Sequence, residues 1–358
     1  MFSETEIDER SLDLLGSCPV PTSRYDRVLL GHGSGGQLSA DLVQQLILPA
    51  FSNDTLAGLE DQAVVSLDSS RIAFTTDAFV VQPLFFPGGD IGKLSVHGTI
   101  NDLAMGGARP IFMSAALILE EGLLMSDLER ILESMSRACR EAGVLLVTGD
   151  TKVVDRGKGD QIFITTSGIG VVPTERDLSI HSARPGDKVV VSGTIGDHGI
   201  AIMSVREGIE FETALESDTA PLHELAQVVL SAGPNTRCMR DPTRGGLSST
   251  LNELAAASGV GVTLEESALP IRREVRGACE MLGLDPLYVA NEGKLVAVVP
   301  EPEAERVVDA MRAHPLGRNA TLIGDVVVEH PGRVVLKSAV GGERIVRMLA
   351  GEQLPRIC

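Results

Sequence analysis

The pattern of apolar and polar positions predicts alternating strands and helices along most of the chain, from about Val28 onward. Short runs rich in Val, Ile, Thr and Phe are typical of β-strands. Such runs occupy Val64–Leu67, Arg71–Thr76, Gln161–Val172, Lys188–Ser192, Leu295–Val299 and Asp325–Val328. Their alternation with helical patterns predicts an α/β (α+β) fold.

Two helices are the clearest of the predicted elements. The stretch Ser126–Glu141 repeats apolar residues at helical spacing, and Ser126 with Glu129 has the spacing of a capping box. A second helix is expected directly after Gly246, with Gly259 as its end.

Turn-forming residues divide the chain into segments. Pro173 and the stretch Arg184–Asp187 interrupt the pattern, after which strand and helix signals begin again. Strand character is lost after about Val340, so a mobile tail is expected there. We therefore predict an arm at residues 1–27, an N-terminal domain at 28–172, a C-terminal α/β domain at 173–340 and a tail at 341–358.

Composition and charge exclude several classes of protein. With 43% apolar and 22% charged residues, the chain has enough apolar side chains for real cores. A net charge of −18 repels polyphosphate backbones, which disfavours general nucleic-acid binding. No run of 18 apolar residues is present and the first residues are acidic, so we expect a soluble, cytoplasmic protein without a membrane segment.

The five cysteines do not form a recognisable framework. They are widely spaced without a CxxC motif, which argues against disulfides or a zinc knuckle. Cys139 and Cys279 lie on apolar stripes of helical patterns, so a packing role is expected for both. The thiols are expected to be reduced.

A glycine-rich loop, Gly31–Gly36, precedes a helical pattern that begins near Leu38. Backbone N–H groups of such a loop can close around an anion at a helix N-terminus. A flexible connector explains the loop equally well, and no Gly-Lys-Ser/Thr follows it as in a Walker A motif. The loop alone leaves both interpretations open.

Three aspartates lie at strand ends or turns. Asp77 follows a strand, Asp102 opens the stretch after Asn101, and Asp150 follows the apolar run Val144–Val147. Magnesium takes oxygen ligands from one or two carboxylates plus nucleotide phosphates. Each aspartate alone is better explained as a cap or turn former, but three beside a glycine-rich loop favour a metal–nucleotide site. Asp61 is a weaker fourth candidate.

The second half of the chain adds two polar turns. Arg244 lies in the stretch Asp241–Gly246, and Glu292 lies in Asn291–Lys294 just before a strand. Arg244 suits a phosphate and Glu292 suits a base, whereas a capped helix and a hairpin turn explain the same residues. Spacing alone does not choose between these interpretations.

The last residue, Cys358, is the most unusual feature. It does not form a prenylation motif, which places its cysteine four residues from the end. A frayed end is one explanation, but an exposed thiol is a liability, which favours a working nucleophile. Arg356 is expected to offset the effect of the terminal carboxylate on this thiol.

Taken together, these motifs resemble the HypE family of hydrogenase maturation factors. The family is similar to aminoimidazole ribonucleotide synthetase, selenophosphate synthetase and thiamine-monophosphate kinase, which are two-domain α/β ATP users. The resemblance covers about residues 28–358, and the ending Pro-Arg-Ile-Cys is its most specific part. It rests on Gly31–Gly36, Thr76–Val81, Asn101–Ala108, Gly149–Val153, Asp241–Gly246, Asn291–Lys294 and Pro355–Cys358.

The resemblance implies a reaction and a set of partners. A carbamoyl group received from HypF on Cys358 would be dehydrated with ATP and magnesium to a thiocyanate. The cyanide would pass to iron on the HypC–HypD complex, for the active site of nickel–iron hydrogenase. The resemblance also implies that the domain at 28–172 is an N-terminal ATP-binding and dimerisation domain, through which the chain would form a homodimer.

The resemblance further implies a role for individual residues. Glu292 would be the base, and Lys152 would hold the developing charge on oxygen. The chemistry itself predicts that the tail is a swinging arm that carries Cys358 between the ATP site and the partners, because a dehydration intermediate must be kept from water whereas loading and cyanide donation need contact with other proteins. The implied magnesium ligands are Asp77, Asp102 and Asp150, and the nucleotide would also contact Gly33, Gly35, Gly36, Asn101 and Arg244.

Two alternatives stay open at this stage. A selenophosphate synthetase would carry a cysteine near its glycine-rich loop, yet no cysteine lies between Cys18 and Cys139. An aminoimidazole ribonucleotide synthetase or a thiamine-phosphate kinase would not need a terminal thiol. A nucleotide-sensing scaffold with a docking tail is the alternative from another class.

Overall fold

A computed structural model describes residues 36–47, 57–61, 63–67, 70–173, 177–208, 215–351, 354 and 356–358. The predicted arm at 1–27 and the glycine-rich loop as far as Gly35 lie outside these residues. Within the described part of the chain, no helix is both long and apolar enough to cross a membrane.

The first half of the described chain is built on a five-stranded sheet with the order β1-β2-β7-β5-β6. Only β5 and β6 run parallel, and β6 is an outer strand. The strands of this half are β1 (Ala63–Leu67), β2 (Ser70–Phe79), β5 (Arg109–Glu120), β6 (Leu145–Val154) and β7 (Ile162–Val172), with the short hairpin β3 (Phe85–Phe86) and β4 (Gly89–Asp90).

The second half contains a seven-stranded sheet with the order β14-β13-β10-β12-β8-β11-β9. The strands in the middle of this sheet are nearly continuous apolar runs, because both of their faces are buried. They are β8 (Asp187–Val191), β9 (Cys238–Arg240), β10 (Gly261–Glu265), β11 (Val296–Pro300), β12 (Thr321–Val327), β13 (Arg333–Lys337) and β14 (Glu343–Val346).

The helices cover these sheets. The α-helices are α1 (Gln37–Leu42), α2 (Ile91–Met105), α3 (Met125–Glu141), α4 (Asp197–Glu207), α5 (His223–Ala232), α6 (Gly246–Ser258), α7 (Arg273–Leu282) and α8 (Glu301–Ala313). A π-helix follows α1 at Val43–Ile47, and single 3₁₀ turns occur at Glu266–Ala268, Pro286–Tyr288 and Pro315–Gly317.

Helix α2 joins the two halves. Nearly all of its residues are buried, and the side chain of Asn101 bonds only to main chain of the second half. Its amide donates to the carbonyl oxygens of Ala220 (3.1 Å) and Glu292 (3.3 Å) and accepts from the N–H of Leu222 (2.7 Å). These bonds fix the polar turns of the second half against the first sheet.

Most of the predicted elements are present, with three corrections. The α3 helix begins at Met125 with Leu124 as its N-cap, so Ser126 lies inside the first turn and the predicted capping box does not form. Strand β6 extends to Val154, which places Asp150 within a strand rather than at its end. The chain also regains strand structure after Val340, since β14 pairs antiparallel with β13.

Candidate active site

A polar cleft of about 280 Å³ lies between the first sheet and the turns of the second half. Acidic, hydroxyl and arginine side chains dominate its walls, and the last residue of the chain enters it. The lining residues are Asp61, Thr76, Asp77, Phe79, Gly98, Asp102, Arg240, Asp241, Thr243, Arg244, Ser249, Thr250, Glu253, Glu292 and Cys358.

Strand β2 and helix α2 bring the first carboxylates together. Asp77 lies near the end of β2. Asp102 lies near the C-terminal end of helix α2, whereas the sequence predicts a strand end or a loop turn there. The hydroxyl of Thr75 donates to Asp102 Oδ2 (2.7 Å) and contacts the carbonyl oxygen of Asp61 (3.1 Å). A single side chain of β2 therefore connects two acidic residues of the cleft.

The carboxylates repel one another in a buried setting. Burial raises the pKa of Asp102 well above its ordinary value, and Asp77, Asp241 and Asp61 raise it further. Burial also raises the pKa of Asp241 to about 6, although Arg240 opposes this shift. Buried carboxylates that are costly to ionise form a set that a bound cation would stabilise.

A cation site on these residues would depend on the nucleotide. Among the described His, Cys, Asp and Glu side chains, no group of three is placed to hold a metal ion. Magnesium characteristically takes only one or two protein carboxylates and completes its shell with phosphates and water. Asp77 and Asp102 fit that pattern, because both are carboxylates at the same cleft.

The two arginines of the cleft have different surroundings. Arg240 is paired with Asp61 (2.8 Å) and Glu253 (3.1 Å), and its side chain is only 14% exposed. Arg244 is 40% exposed and lies 4.0 Å from Asp77. Because Arg244 also acts electrostatically on Cys358, it is the guanidinium that faces the thiol.

The tail enters the cleft as an added strand. Val81 and Ile357 form an antiparallel bridge, and the N–H of Val80 donates to the carbonyl oxygen of Cys358 (3.2 Å). The carboxyl of Glu292 lines the same cleft as the thiol. Burial raises the pKa of this thiol, Glu292 raises it further, and Arg244 opposes the shift. In this position the sulfur is held as a neutral thiol.

Glu292 is the buried acid beside the sulfur. It is 3% exposed, and its Oε1 is buried without a hydrogen-bond partner. Its main-chain N–H donates to Asp218 Oδ1 (3.0 Å), which fixes the turn that carries it. Burial, then repulsion from Asp241 and Asp218, raises the pKa of Glu292 well above its ordinary value. When ionised, it is a stronger base than a solvated carboxylate.

Several residues singled out from the sequence lie elsewhere. Asp150 and Lys152 form an exposed pair (3.6 Å) on the outer strand β6, so a single chain does not bring them to the cleft. The Asn101 side chain is used in binding the second half. Gly36 is buried against Leu349, where a Cβ would meet the carbonyl oxygen at 2.2 Å.

The expectation for Arg356 is wrong. Its Nη1 donates to Gln82 Oε1 (2.9 Å) and its Nε lies 3.1 Å from Asp160. Both partners belong to the first half, and they turn the guanidinium away from the sulfur. Arg244 takes the place that Arg356 was expected to fill.

Other polar residues were not singled out from the sequence. A local sequence pattern could have indicated Arg240 and Asp241, because both residues directly precede the polar turn that carries Arg244. Asp218 and His198 have no such pattern, because their importance depends on contacts between distant segments. Lys294 ends the stretch Asn291–Lys294, but no local pattern indicates its partner. Lys294 pairs with Asp218 (3.0 Å), and both side chains are largely buried.

Comparison with known families agrees with the two-part structure. The family model described as "AIR synthase related protein, N-terminal domain" matches residues 59–172. The model described as "AIR synthase related protein, C-terminal domain" matches residues 184–337. Together they cover most of the chain.

Individual relatives match nearly the whole length. The chain is 56% identical over 335 residues to carbamoyl dehydratase HypE of Azotobacter vinelandii, which covers 94% of this chain and 98% of that relative. It is similar to a crystal structure of HypE in complex with ATP, with a TM-score of 0.78, 48% identity and coverage of 93% and 100% of the two chains. It is also similar to a chain in a crystal structure of a HypE–HypF complex, with a TM-score of 0.82, 47% identity and coverage of 86% and 99%.

Proposed function

The chain belongs to the AIR synthase related proteins and, within them, to the HypE carbamoyl dehydratases; from this premise we propose that Cys358 carries the carbamoyl group. The enzyme is an ATP-dependent carbamoyl dehydratase of hydrogenase maturation. The observation that carries the assignment of Cys358 is its position in the cleft, whose walls also include the buried carboxyl of Glu292 and the guanidinium of Arg244. A side chain that merely ended the chain would not require a buried acid and a guanidinium beside it.

The reaction removes one oxygen and two N–H protons from a thiocarbamate, S–C(=O)–NH₂. That oxygen is a very poor leaving group, so it is first phosphorylated. The carbamoyl oxygen attacks the γ-phosphorus of ATP, the bond to the bridging oxygen breaks, and ADP leaves with that electron pair. One N–H proton is lost in this step. Positioning and charge stabilisation supply most of the rate of phosphoryl transfer.

Elimination completes the dehydration. The C–O bond breaks with its electrons on phosphate, the remaining N–H proton is removed, and S–C≡N forms. Glu292 is the proposed base for these protons because its raised pKa and its unpartnered Oε1 suit proton transfer. Arg244 stabilises charge on the phosphoryl oxygens.

The carboxylates Asp77 and Asp102 are the proposed protein ligands of magnesium, which would neutralise phosphate charge when bound with the nucleotide. Their mutual repulsion, which raises the pKa of Asp102, supports this role. Gly33, Gly35 and Gly36 remain proposed nucleotide contacts.

We also propose a homodimer built on the first half. The outer strand β6 exposes Leu145 (64%), Val147 (58%) and Val153 (67%), and the β2 face exposes Phe74 (46%). A second copy on this surface would cover these apolar side chains. The second copy would also cover Asp150 and Lys152 of β6. We therefore propose that Asp150 binds the metal and Lys152 binds the oxyanion, at a site that the dimer would complete. The family matches at 59–172 and 184–337 support the proposed domains at 28–172 and 173–340.

The proposed partners follow from the reaction. A HypF protein is the proposed carbamoyl donor, since a similar chain has been solved with HypF. A HypC–HypD complex is the proposed acceptor of the cyanide. The cytoplasm is the proposed location, because a working thiol needs a reducing compartment.

Mass spectrometry of Glu292→Gln tests the assignment. With the carbamoyl donor and ATP, the wild-type chain should gain one carbamoyl group on Cys358 and then lose one water from it. Glu292→Gln should be carbamoylated normally but dehydrate about 10²–10⁴-fold more slowly, because the amide is not a base. Cys358→Ala is the control that should gain no adduct. Dehydration at the wild-type rate in Glu292→Gln would assign the base to another group.

A further inference from the structure

The last three residues of the tail are held mainly by their main chain. The N–H groups of Val80 and Gln82 donate to the carbonyl oxygens of Cys358 (3.2 Å) and Arg356 (3.1 Å). The carbonyl oxygen of Ile357, between them, contacts His198 Nε2 at 2.7 Å. The guanidinium of Arg206 reaches the carbonyl oxygen of Arg356.

His198 is built to act as a donor at this position. Its ring is fully buried at the start of α4, packed edge-on against Phe86 with ring centroids 5.6 Å apart. A carbonyl oxygen only accepts, so Nε2 must carry the proton toward Ile357. The other nitrogen, Nδ1, then accepts from the hydroxyl of Ser217 (2.7 Å), which itself accepts from the N–H of Thr219 (3.2 Å). This relay fixes the tautomer and the ring orientation.

Arg206 lies two turns further along the same helix. Its Nε donates to the carbonyl oxygen of Gln82 (2.5 Å), so it joins the tail to the strand segment that receives it. Between the two donors the side chain of Ile357 is 5% exposed and packs in the core cluster of the first half. One face of α4 therefore binds the tail at two successive carbonyl groups.

We propose that His198 and Arg206 form a latch that sets the fraction of molecules in which Cys358 occupies the cleft. This inference rests on the proposed function of Cys358 and adds the residues that control its location. His198 is a positioning residue in this scheme, because it contacts neither the sulfur nor the nucleotide cleft. Without the Nε2 donor, the Ile357 carbonyl oxygen would be buried unsatisfied whenever the tail docks.

Alkylation of Cys358 in the full-length chain measures the latch. A maleimide reacts with the undocked thiol, so the labelling rate follows the undocked fraction as long as the tail exchanges faster than it reacts. His198→Ala should raise the labelling rate of Cys358 roughly five- to 100-fold, the range expected for leaving one buried acceptor unpaired. Arg206→Ala should also raise the labelling rate of Cys358. Because Arg206 is only partly buried, this second variant leaves no cavity in the core.

The chain contains its own control for general loosening. Cys238 and Cys279 are 3% and 1% exposed, so their labelling reports opening of the whole fold. The latch predicts faster labelling of Cys358 alone, located by mass spectrometry of the C-terminal peptide. His198→Gln should restore protection, because its amide nitrogen can replace Nε2 as the donor. His330→Ala, an exposed histidine on the second half, is the matched substitution that should change nothing.

Two results would overturn the latch. One is a labelling rate of Cys358 in His198→Ala that equals that of the wild type. The other is an equal acceleration at Cys358 and Cys238, which would mean that the fold opens rather than the tail. Both are read without donor or ATP. Failure of the proposed function would instead appear as a wild-type chain that forms no thiocyanate, whatever its labelling rate.

Discussion

The buried ion pair between Asp218 and Lys294 gives the sharpest prediction for the turn that carries Glu292. Asp218 is 3% exposed and Lys294 is 12% exposed, with 3.0 Å between Oδ2 and Nζ. Asp218→Asn keeps an acceptor for the N–H of Glu292 but leaves Lys294 without its charged partner. Breaking a buried pair in this way costs about 3–5 kcal/mol, and the lower end applies here because Asp197 also attracts Lys294.

The effect on stability should depend on pH. Burial opposes ionisation of Asp218, but the charge of Lys294 and the hydrogen bond from the N–H of Glu292 favour it, and the pKa lies below its ordinary value of 3.8. A carboxyl with a depressed pKa stabilises the fold fully above its unfolded-state pKa and loses that contribution as the pH falls through its folded-state pKa. The wild-type advantage over Asp218→Asn should therefore be complete at pH 7 and should shrink below about pH 4.

The same substitution should move the pH dependence of dehydration. The charge on Asp218 raises the pKa of Glu292, so its removal lowers that pKa. The acid limb of the rate profile should shift to lower pH, and the maximal rate should fall because a weaker base transfers protons less effectively.

Urea unfolding at pH 7 and at pH 3.5, with dehydration rates at a series of pH values, measures both effects. The double variant Asp218→Asn/Lys294→Met is the matched control, and it should recover much of the lost stability because no unpaired charge remains. A loss below about 1 kcal/mol at pH 7, or an acid limb that moves to higher pH, would refute the reasoning.

Two further predictions concern the cleft and the outer strand. Asp102→Asn should raise the free energy of unfolding at pH 7, because a buried carboxyl with a raised pKa destabilises the fold there. The same variant should bind magnesium–ATP more weakly in calorimetry. An unchanged nucleotide affinity would remove Asp102 from the proposed site. Val153→Asp should shift the chain from dimer to monomer in sedimentation at micromolar concentration. Val328→Asp, at a similarly exposed valine of the second half, is the control that should leave the dimer intact. A monomeric wild-type chain would exclude the proposed dimer.

The acidic side of the cleft was predictable from local patterns. Asp77 follows the strand pattern Arg71–Thr76 and Asp102 directly precedes an apolar stretch, so neither carboxylate was well explained as part of a solvated face. Glu292 precedes a strand of buried valines, which places it at the end of the second sheet. Each inference used only neighbouring residues in the sequence.

The position of Asp150 was not predictable in the same way. The polar stretch Thr148–Lys152 looks like a turn after an apolar run, yet its main chain pairs in parallel with Ser114–Ile118. Backbone hydrogen bonds to β5 form whatever the side chains are, so polarity did not end the strand. The exposed side chains of an outer strand do not follow the alternation expected for one covered face.

Residues that act through distant contacts had no signal at all. Lys294 lies 76 positions after its partner Asp218 in the sequence, and His198 and Ile357 are separated by an even greater distance along the chain. In sequence, a histidine near a glycine at the start of an apolar helix is most simply explained by packing. Only the fold shows that its two nitrogens have different partners.

The state of the Cys358 sulfur in the cleft orders the steps of the cycle. A thiolate is the nucleophile that accepts an acyl group, and burial with Glu292 beside it raises the pKa of this thiol. Loading is therefore disfavoured in the docked position and favoured outside, where the sulfur is solvated. Dehydration has the opposite need, since a phosphorylated intermediate must be kept from water and close to the base. A tail held by its main-chain oxygens and by the side chains of Arg356 and Ile357 suits both requirements, because none of these contacts depends on whether the sulfur carries a proton, a carbamoyl group or a cyano group.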